Sequence, residues 1–212
     1  MKQHDTRARL IESATDIFVN KGFNGARVEE IARRARANKA MIYYHFGSKE
    51  KLYRAVLLKH IGGLHEEMAR VAEEAADPLD RLVAFYGALG RIFKARPALP
   101  VMMFREILSG GVHMDEGLAH ALKGVLDFVR GTIAEGIATG RLREVDPIAV
   151  HFSMIAPMML FCVSRPFRER LLPIAVPEDA PPTAEGLFAH LQEVLVRTLE
   201  RGTRSFQEQE MK

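Results

Sequence analysis

Lys39, Tyr43, Tyr44, His45 and Lys49 fall within one short stretch of the chain, with Arg27 a little upstream. They supply ammonium, guanidinium, phenol and imidazole donors. The chemistry open to such a set is donation to anionic and carbonyl oxygens. A lysine reaches a guanine edge or a phosphate, while tyrosine hydroxyls and an imidazole donate to phosphate oxygens. Ala40 and Met41 add the small and apolar surface that meets a thymine methyl. Tyr43 has a second role open to it, with its ring packed between helices and its hydroxyl outward. His45, standing by itself, would read as structural. Catalysis finds no comparable set: a Gly-rich phosphate loop and an H-E-x-x-H pattern are both absent. His113, Glu116 and His120 come nearest to a metal site, but only Glu116 and His120 share a helix face, so they read as a salt-bridged surface. No enzyme, cofactor or metal is expected.

The donors need elements to hold them. Leu10, Ile11, Ala14, Ile17 and Phe18 form one stripe of a first helix that Gly22 ends. Val28, Ile31, Ala32 and Ala35 form the stripe of a short second helix. After the turn Arg36-Ala37-Asn38, Asn38 is an N-cap for a third helix to about Phe46, anchored inward by Ile42 and Phe46 at i, i+4. Residues 27–46 thus read as two short helices joined by a tight turn, the second with an outer face free to enter a major groove. Ser48 caps a long fourth helix that starts at Lys49. Beyond it, Asp77-Pro78, Arg96-Pro97, Ser109-Gly110-Gly111, Thr139-Gly140 and Asp146-Pro147 mark boundaries. They delimit further helices, the last two over about 147–164 and 183–201. Five prolines make 165–182 a loop, and the tail after Thr203 is expected to fray. No strand-length alternation appears. The expectation is an all-α chain of about nine helices, three short and six longer.

Residues 1–60 hold 13 Lys+Arg and 6 Asp+Glu, while residues 61–212 hold 17 and 21. A basic head on a mildly acidic body is the asymmetry of a chain whose one end meets a polyanion. No apolar run reaches the roughly 18–20 residues a membrane span needs, and the start from Lys2 to Arg9 is polar, so neither a membrane partner nor a secretory leader is expected. The single Cys162 lies among Met158, Met159, Leu160 and Phe161 and reads as a buried small hydrophobe. The location expected is cytoplasmic.

From Thr6 to Leu52 the chain resembles the N-terminal domain of the TetR family of bacterial transcription regulators. Thr6-Arg7, Ile11, Ala14, Phe18, Gly22-Phe23, Val28, Ile31-Ala32, Ala35, Ile42-Tyr43, His45-Phe46 and Ser48-Lys49-Glu50 carry the likeness, most diagnostically over Ala40–Glu50. Three positions depart from the family pattern. Arg36 stands where the turn usually has Gly, which would strain Arg36 if φ is positive there and shift the turn onto Asn38. Ala26-Arg27 stand where a Thr or Ser hydroxyl usually meets phosphate, and Ala40 stands where Gly is frequent. The resemblance implies a DNA-binding domain over 4–64 and a helical regulatory domain over 65–205 that dimerises and binds a small effector. In the family the last two helices pair with the twin subunit, which here places Ile148, Ile155 and Met159 with Leu187, Leu191, Val194, Leu195 and Thr198 at the interface, unless these faces complete the monomer core.

For the effector the body offers adaptable apolar side chains, Phe85, Leu89, Met102, Met103, Phe104, Phe128, Phe152 and Met158, each of which is also ordinary core material. Arg105, Glu106 and His151 are the polar residues among them. Arg105 and Glu106 have the alternative of pairing with each other or across helices, and His151 of satisfying a backbone carbonyl. The function expected is a repressor that binds a palindromic operator in double-stranded DNA as a homodimer and is released by a small apolar or amphipathic effector. The rival is a protein-interaction adaptor with a vestigial helix-turn-helix, which would lack salt-dependent binding to any specific fragment.

Overall fold

A computed structural model describes residues 2–175 and 183–200. Among them it holds ten helices: α1 (Lys2–Gly25), α2 (Val28–Arg34), α3 (Lys39–Phe46), α4 (Lys49–Glu74), α5 (Pro78–Ala95), α6 (Ala98–Leu108), α7 (Glu116–Ala138), α8 (Pro147–Val163), α9 (Arg165–Ala175) and α10 (Ala184–Leu199). No strand occurs among the described residues, which bears out the all-α expectation. The N-termini follow from their caps. The side chains of Asn38, Ser48, Asp77, Asp115, Asp146 and Thr183 each accept from a backbone N–H in the first turn that no intrahelical carbonyl can satisfy.

The first helix is interrupted where expected, because Gly22 adopts φ 69° and ψ 178°. A side chain there is doubly disfavoured, since a Cβ would also lie 2.5 Å from Nη1 of Arg105. The stripes of α1 and α2 are buried throughout and close on Ile42, Phe46, Leu52 and Tyr53 to form the core of the head. Each such large apolar side chain contributes about 1.5–3 kcal/mol by leaving water. The long α4 leaves this head and packs against α5 and α7, while α5 lies centrally and touches α7, α8 and α10.

One expectation needs correction. Residues 165–175 are helical, not loop. Pro166 falls in the first turn, where its missing N–H costs no hydrogen bond. Arg165 and Glu169 pair at 2.8 Å one turn apart, and Arg168 lays its guanidinium 3.5 Å from the centroid of the Phe161 ring while bonding the Ser164 hydroxyl. These contacts outweigh the proline content and raise the helix count above nine. The rest of that expected loop, 176–182, and the tail after Thr203 with the domain end at 205 lie outside the described residues.

Candidate nucleic-acid interface

Arg36 adopts φ 50°, so the turn keeps the left-handed residue at this position and does not move it to Asn38. The Ala37 N–H reaches the Ala32 carbonyl at 2.9 Å and the Arg36 N–H reaches the Arg33 carbonyl at 3.1 Å. This paired closure of the α2 C-terminus is the Schellman arrangement. Asn38 is thereby free to cap α3, accepting from the Ala40 N–H at 2.9 Å.

Only Ile42 and Phe46 of α3 are buried. Lys39, Ala40, Tyr43 and Tyr44 are exposed, and Met41 and His45 are half-buried. Tyr43 is 48% and Tyr44 68% exposed, an unusual waste of apolar ring surface unless something covers it. Lys39 pairs with Glu29 of α2 at 2.9 Å, which holds the Glu29 carboxyl below its ordinary value through the hydrogen bond from Lys39. Both partners are open to water, so a phosphate can compete for the ammonium. Lys49 stands over the Phe23 ring at 4.4 Å, and partial burial pushes its ammonium below the ordinary lysine value. His45 presents less than expected. Its Nε2 is enclosed and has no hydrogen-bond partner, which leaves any phosphate contact to Nδ1. Arg27 is exposed at the N-terminus of α2 and its side chain makes no capping bond there.

The body divides the other candidates. Phe85, Leu89, Met102 and Met158 are buried, while Met103, Phe104 and Phe128 are half-buried against the same core. Phe85 meets Phe128 with ring centroids 5.1 Å apart. His151 does not serve a backbone carbonyl. Its Nδ1 faces the Tyr86 hydroxyl of α5 at 3.1 Å. Burial lowers the imidazole below its ordinary value and raises the phenol, so both are neutral. With the phenol donating, the imidazole proton sits on Nε2. Three expected companions lie elsewhere. Phe152 points outward at 58% exposed, because residues adjacent in a helix face about 100° apart. Arg105 and Glu106 do not pair with each other. Arg105 donates to the Val19 carbonyl at 3.1 Å and Glu106 engages His113. Both stand at the joint with the head.

The expected interface set also splits. Met159, Leu191 and Leu195 are buried within the single chain and complete its core. Ile155, Leu187 and Thr198 are half-buried. The surface open to a partner is Ile148, Phe152, Leu160 and Val194, beside a groove of 330 Å³ between α8 and α10 that Thr198 helps to line. Leu160 went unassigned in the sequence, although i, i+4 spacing from Phe152 through Ala156 points to it. Among the described residues no group of three or more His, Cys, Asp or Glu is placed to hold a metal, and no single helix is long and apolar enough to cross a membrane.

A short helix pinned by two residues behind a tight turn, with donors on its outer face, defines the class: a helix-turn-helix DNA-binding transcription regulator. The family model of bacterial regulatory proteins of the TetR family matches residues 10–56. The transcriptional repressor NicS of Pseudomonas putida is 31% identical over 158 residues, covering 74% of each chain. The chain belongs to the TetR family, whose members are transcription regulators and not enzymes. Among solved structures, the TetR-family regulator PfmR of Thermus thermophilus superposes with TM-score 0.70 at 24% identity, over 92% of this chain and 97% of that one. FadR of Bacillus subtilis, in complex with stearoyl-CoA, gives 0.74 at 18% identity over 90% and 98%. These two likenesses are of fold.

Proposed function

We propose that the chain is a repressor that binds a palindromic operator as a homodimer and lets go when a small apolar or amphipathic effector enters the helical body. The observation that carries this reading is the outer face of α3, where Lys39, Ala40, Met41, Tyr43 and Tyr44 are spared from the core by an anchor of only Ile42 and Phe46. Arg27, His45 through Nδ1, and Lys49 flank that face as phosphate contacts. The DNA-binding unit spans 4–64 and the regulatory unit 65–205. One short recognition helix supplies few base contacts, so a two-fold dimer reading two half-sites is the economical arrangement. The open apolar row of Ile148, Phe152, Leu160 and Val194 on α8 and α10 supports that dimer. A repressor mode is supported by NicS, which carries that name. An apolar effector is supported by the Phe85, Leu89, Met102, Phe128 and Met158 interior, where Tyr86 and His151 offer one neutral polar pair, and by the stearoyl-CoA bound to FadR. Such a protein acts in the cytoplasm, where its operator is.

The test is selection of bound fragments from the source genome by purified protein at near-physiological salt. A short palindrome upstream of one or a few genes is the expected result. Folded, dimeric protein that enriches nothing at any salt would overturn the reading in favour of an adaptor.

A further inference from the structure

Glu106, near the end of α6, is 2% exposed. A carboxylate removed from water persists as an anion only where charge and hydrogen bonds replace its hydration. His113, in the turn between α6 and α7, supplies two such hydrogen bonds. Its backbone N–H donates to Oε2 at 3.2 Å and its ring Nδ1 meets Oε1 at 2.8 Å. An ionised carboxylate only accepts, so Nδ1 carries the proton of this bond. The Glu106 carboxylate also acts on the Tyr53 phenol of α4. Burial first, and then that carboxylate, push the phenol above its ordinary value.

The imidazole held this way packs against two aromatic rings of the head, tilted 48° from Phe23 and 58° from Tyr53. Its centroid lies 4.0 Å from that of Phe23 and 4.9 Å from that of Tyr53. Phe23 in turn carries the Lys49 ammonium over its ring at 4.4 Å. Two arginines brace the same joint. Arg54 of α4 donates to the His113 carbonyl at 3.0 Å and pairs with Asp115 at 3.3 Å, and Arg105 reaches the Val19 carbonyl of α1. A continuous line of contacts therefore runs from α6 through Glu106, His113 and Phe23 to a lysine at the DNA-facing end of α4.

We infer that Glu106 and His113 are positioning residues for DNA reading: they fasten the α6–α7 turn as a socket for Phe23 and Tyr53, and so set the pose of the head on the body and the placement of Lys49. Neither residue touches DNA or effector, which moves Glu106 out of the effector site. The inference rests on the reading of α3 and Lys49 as the DNA face.

The experiment uses the full chain with Glu106→Gln, which keeps the shape and removes the charge. The pair Glu106→Met with His113→Phe replaces the polar contact by apolar fill, in case the single change leaves a poorly folded protein. Amide hydrogen exchange is followed on the free proteins, and the fragment selected by the wild type is titrated at several salt concentrations. Exchange is expected to quicken selectively in Val19–Gly25 and at the start of α4, with α5, α7 and α8 keeping their protection. Operator affinity should fall about tenfold, or 1.4 kcal/mol. The salt slope should shrink by about 0.9 for one lost phosphate contact. The base sequence selected should stay the same, since α3 is untouched. Folded variants with wild-type affinity, slope and exchange pattern, or with exchange raised evenly throughout, would show these residues to be filling only and overturn the inference. A wild type that selects no fragment sinks the DNA reading itself, and the inference with it, whatever the variants do.

Discussion

Replacing Arg36 by glycine should stabilise the protein. Among the described residues Arg36 is the one non-glycine with positive φ, and it holds the position after the α2 cap where a Schellman closure demands a left-handed residue. A side chain with a Cβ pays about 1–2 kcal/mol to sit there. Glycine avoids that strain but gives back about 0.4–1 kcal/mol through its greater freedom in the unfolded chain. The net expectation is about 0.5–1 kcal/mol in favour of Arg36→Gly. Arg36→Ala is the control: it loses the same guanidinium, keeps the Cβ, and should stay within about 0.5 kcal/mol of the wild type. Urea unfolding of the operator-free protein reads the difference as a higher midpoint at unchanged slope, and a thermal scan as a rise of about 1–4 °C. Both variants lose the same charge near the DNA face, so any loss of operator affinity should be common to both. A glycine variant no more stable than the alanine variant would refute the claim that backbone strain resides at Arg36.

Tyr44→Ala and Lys49→Ala should each weaken operator binding, measured by fluorescence anisotropy, while the protein stays folded. For Lys49→Ala the salt slope should also drop by about 0.9, and unchanged affinity in both variants would sink the contact assignment. Gly136→Ala should cost about 1–3 kcal/mol, because a Cβ there would lie 2.4 Å from Cδ1 of Leu142 and 2.5 Å from its Cγ; a melting temperature equal to that of the wild type would show that Leu142 simply moves aside. Burial lowers the imidazole of His151 in the folded state, so below its ordinary value of 6.5 the unfolded chain binds the extra proton and stability falls with pH. Melting temperatures taken from pH 7 down to about pH 5 should fall less steeply for His151→Gln, and an identical slope would exclude His151 from the acid response.

The head was legible because its signals are local. Stripes at helical spacing, a Gly that interrupts α1, and side chains that cap α3 and α4 depend on neighbours within a turn, and all of them are present where the spacing put them. α9 was hidden for the same reason: its prolines are a local signal against a helix, while the Arg168–Phe161 contact that supports it crosses from one helix to the next. The body was harder. An apolar stripe wide enough to face a core also reaches the surface at its edges. Spacing alone therefore could not separate Met159 and Leu195, which are buried, from Phe152 and Val194, which are open.

Glu106 shows where local reading stops. Its neighbour Arg105 offers an obvious ion pair in the sequence, yet adjacent helical residues diverge and each finds a partner on another element. The partner of Glu106, seven residues on, lies past a turn made possible by Gly110 and Gly111, both with positive φ. Tyr53, 53 residues back in the chain, went unassigned in the sequence and lies in the core of the head; what the sequence could not show is that its phenol also feels the acid of α6. The same residue thus closes the core of the head and feels the acid near the end of α6. A head joined to its body only through apolar packing could slide or roll at little cost, since such contacts are non-directional. A buried carboxylate that must keep its imidazole and phenol in place admits few poses, and that directionality is what a regulator needs if the spacing of its reading helices is to carry information.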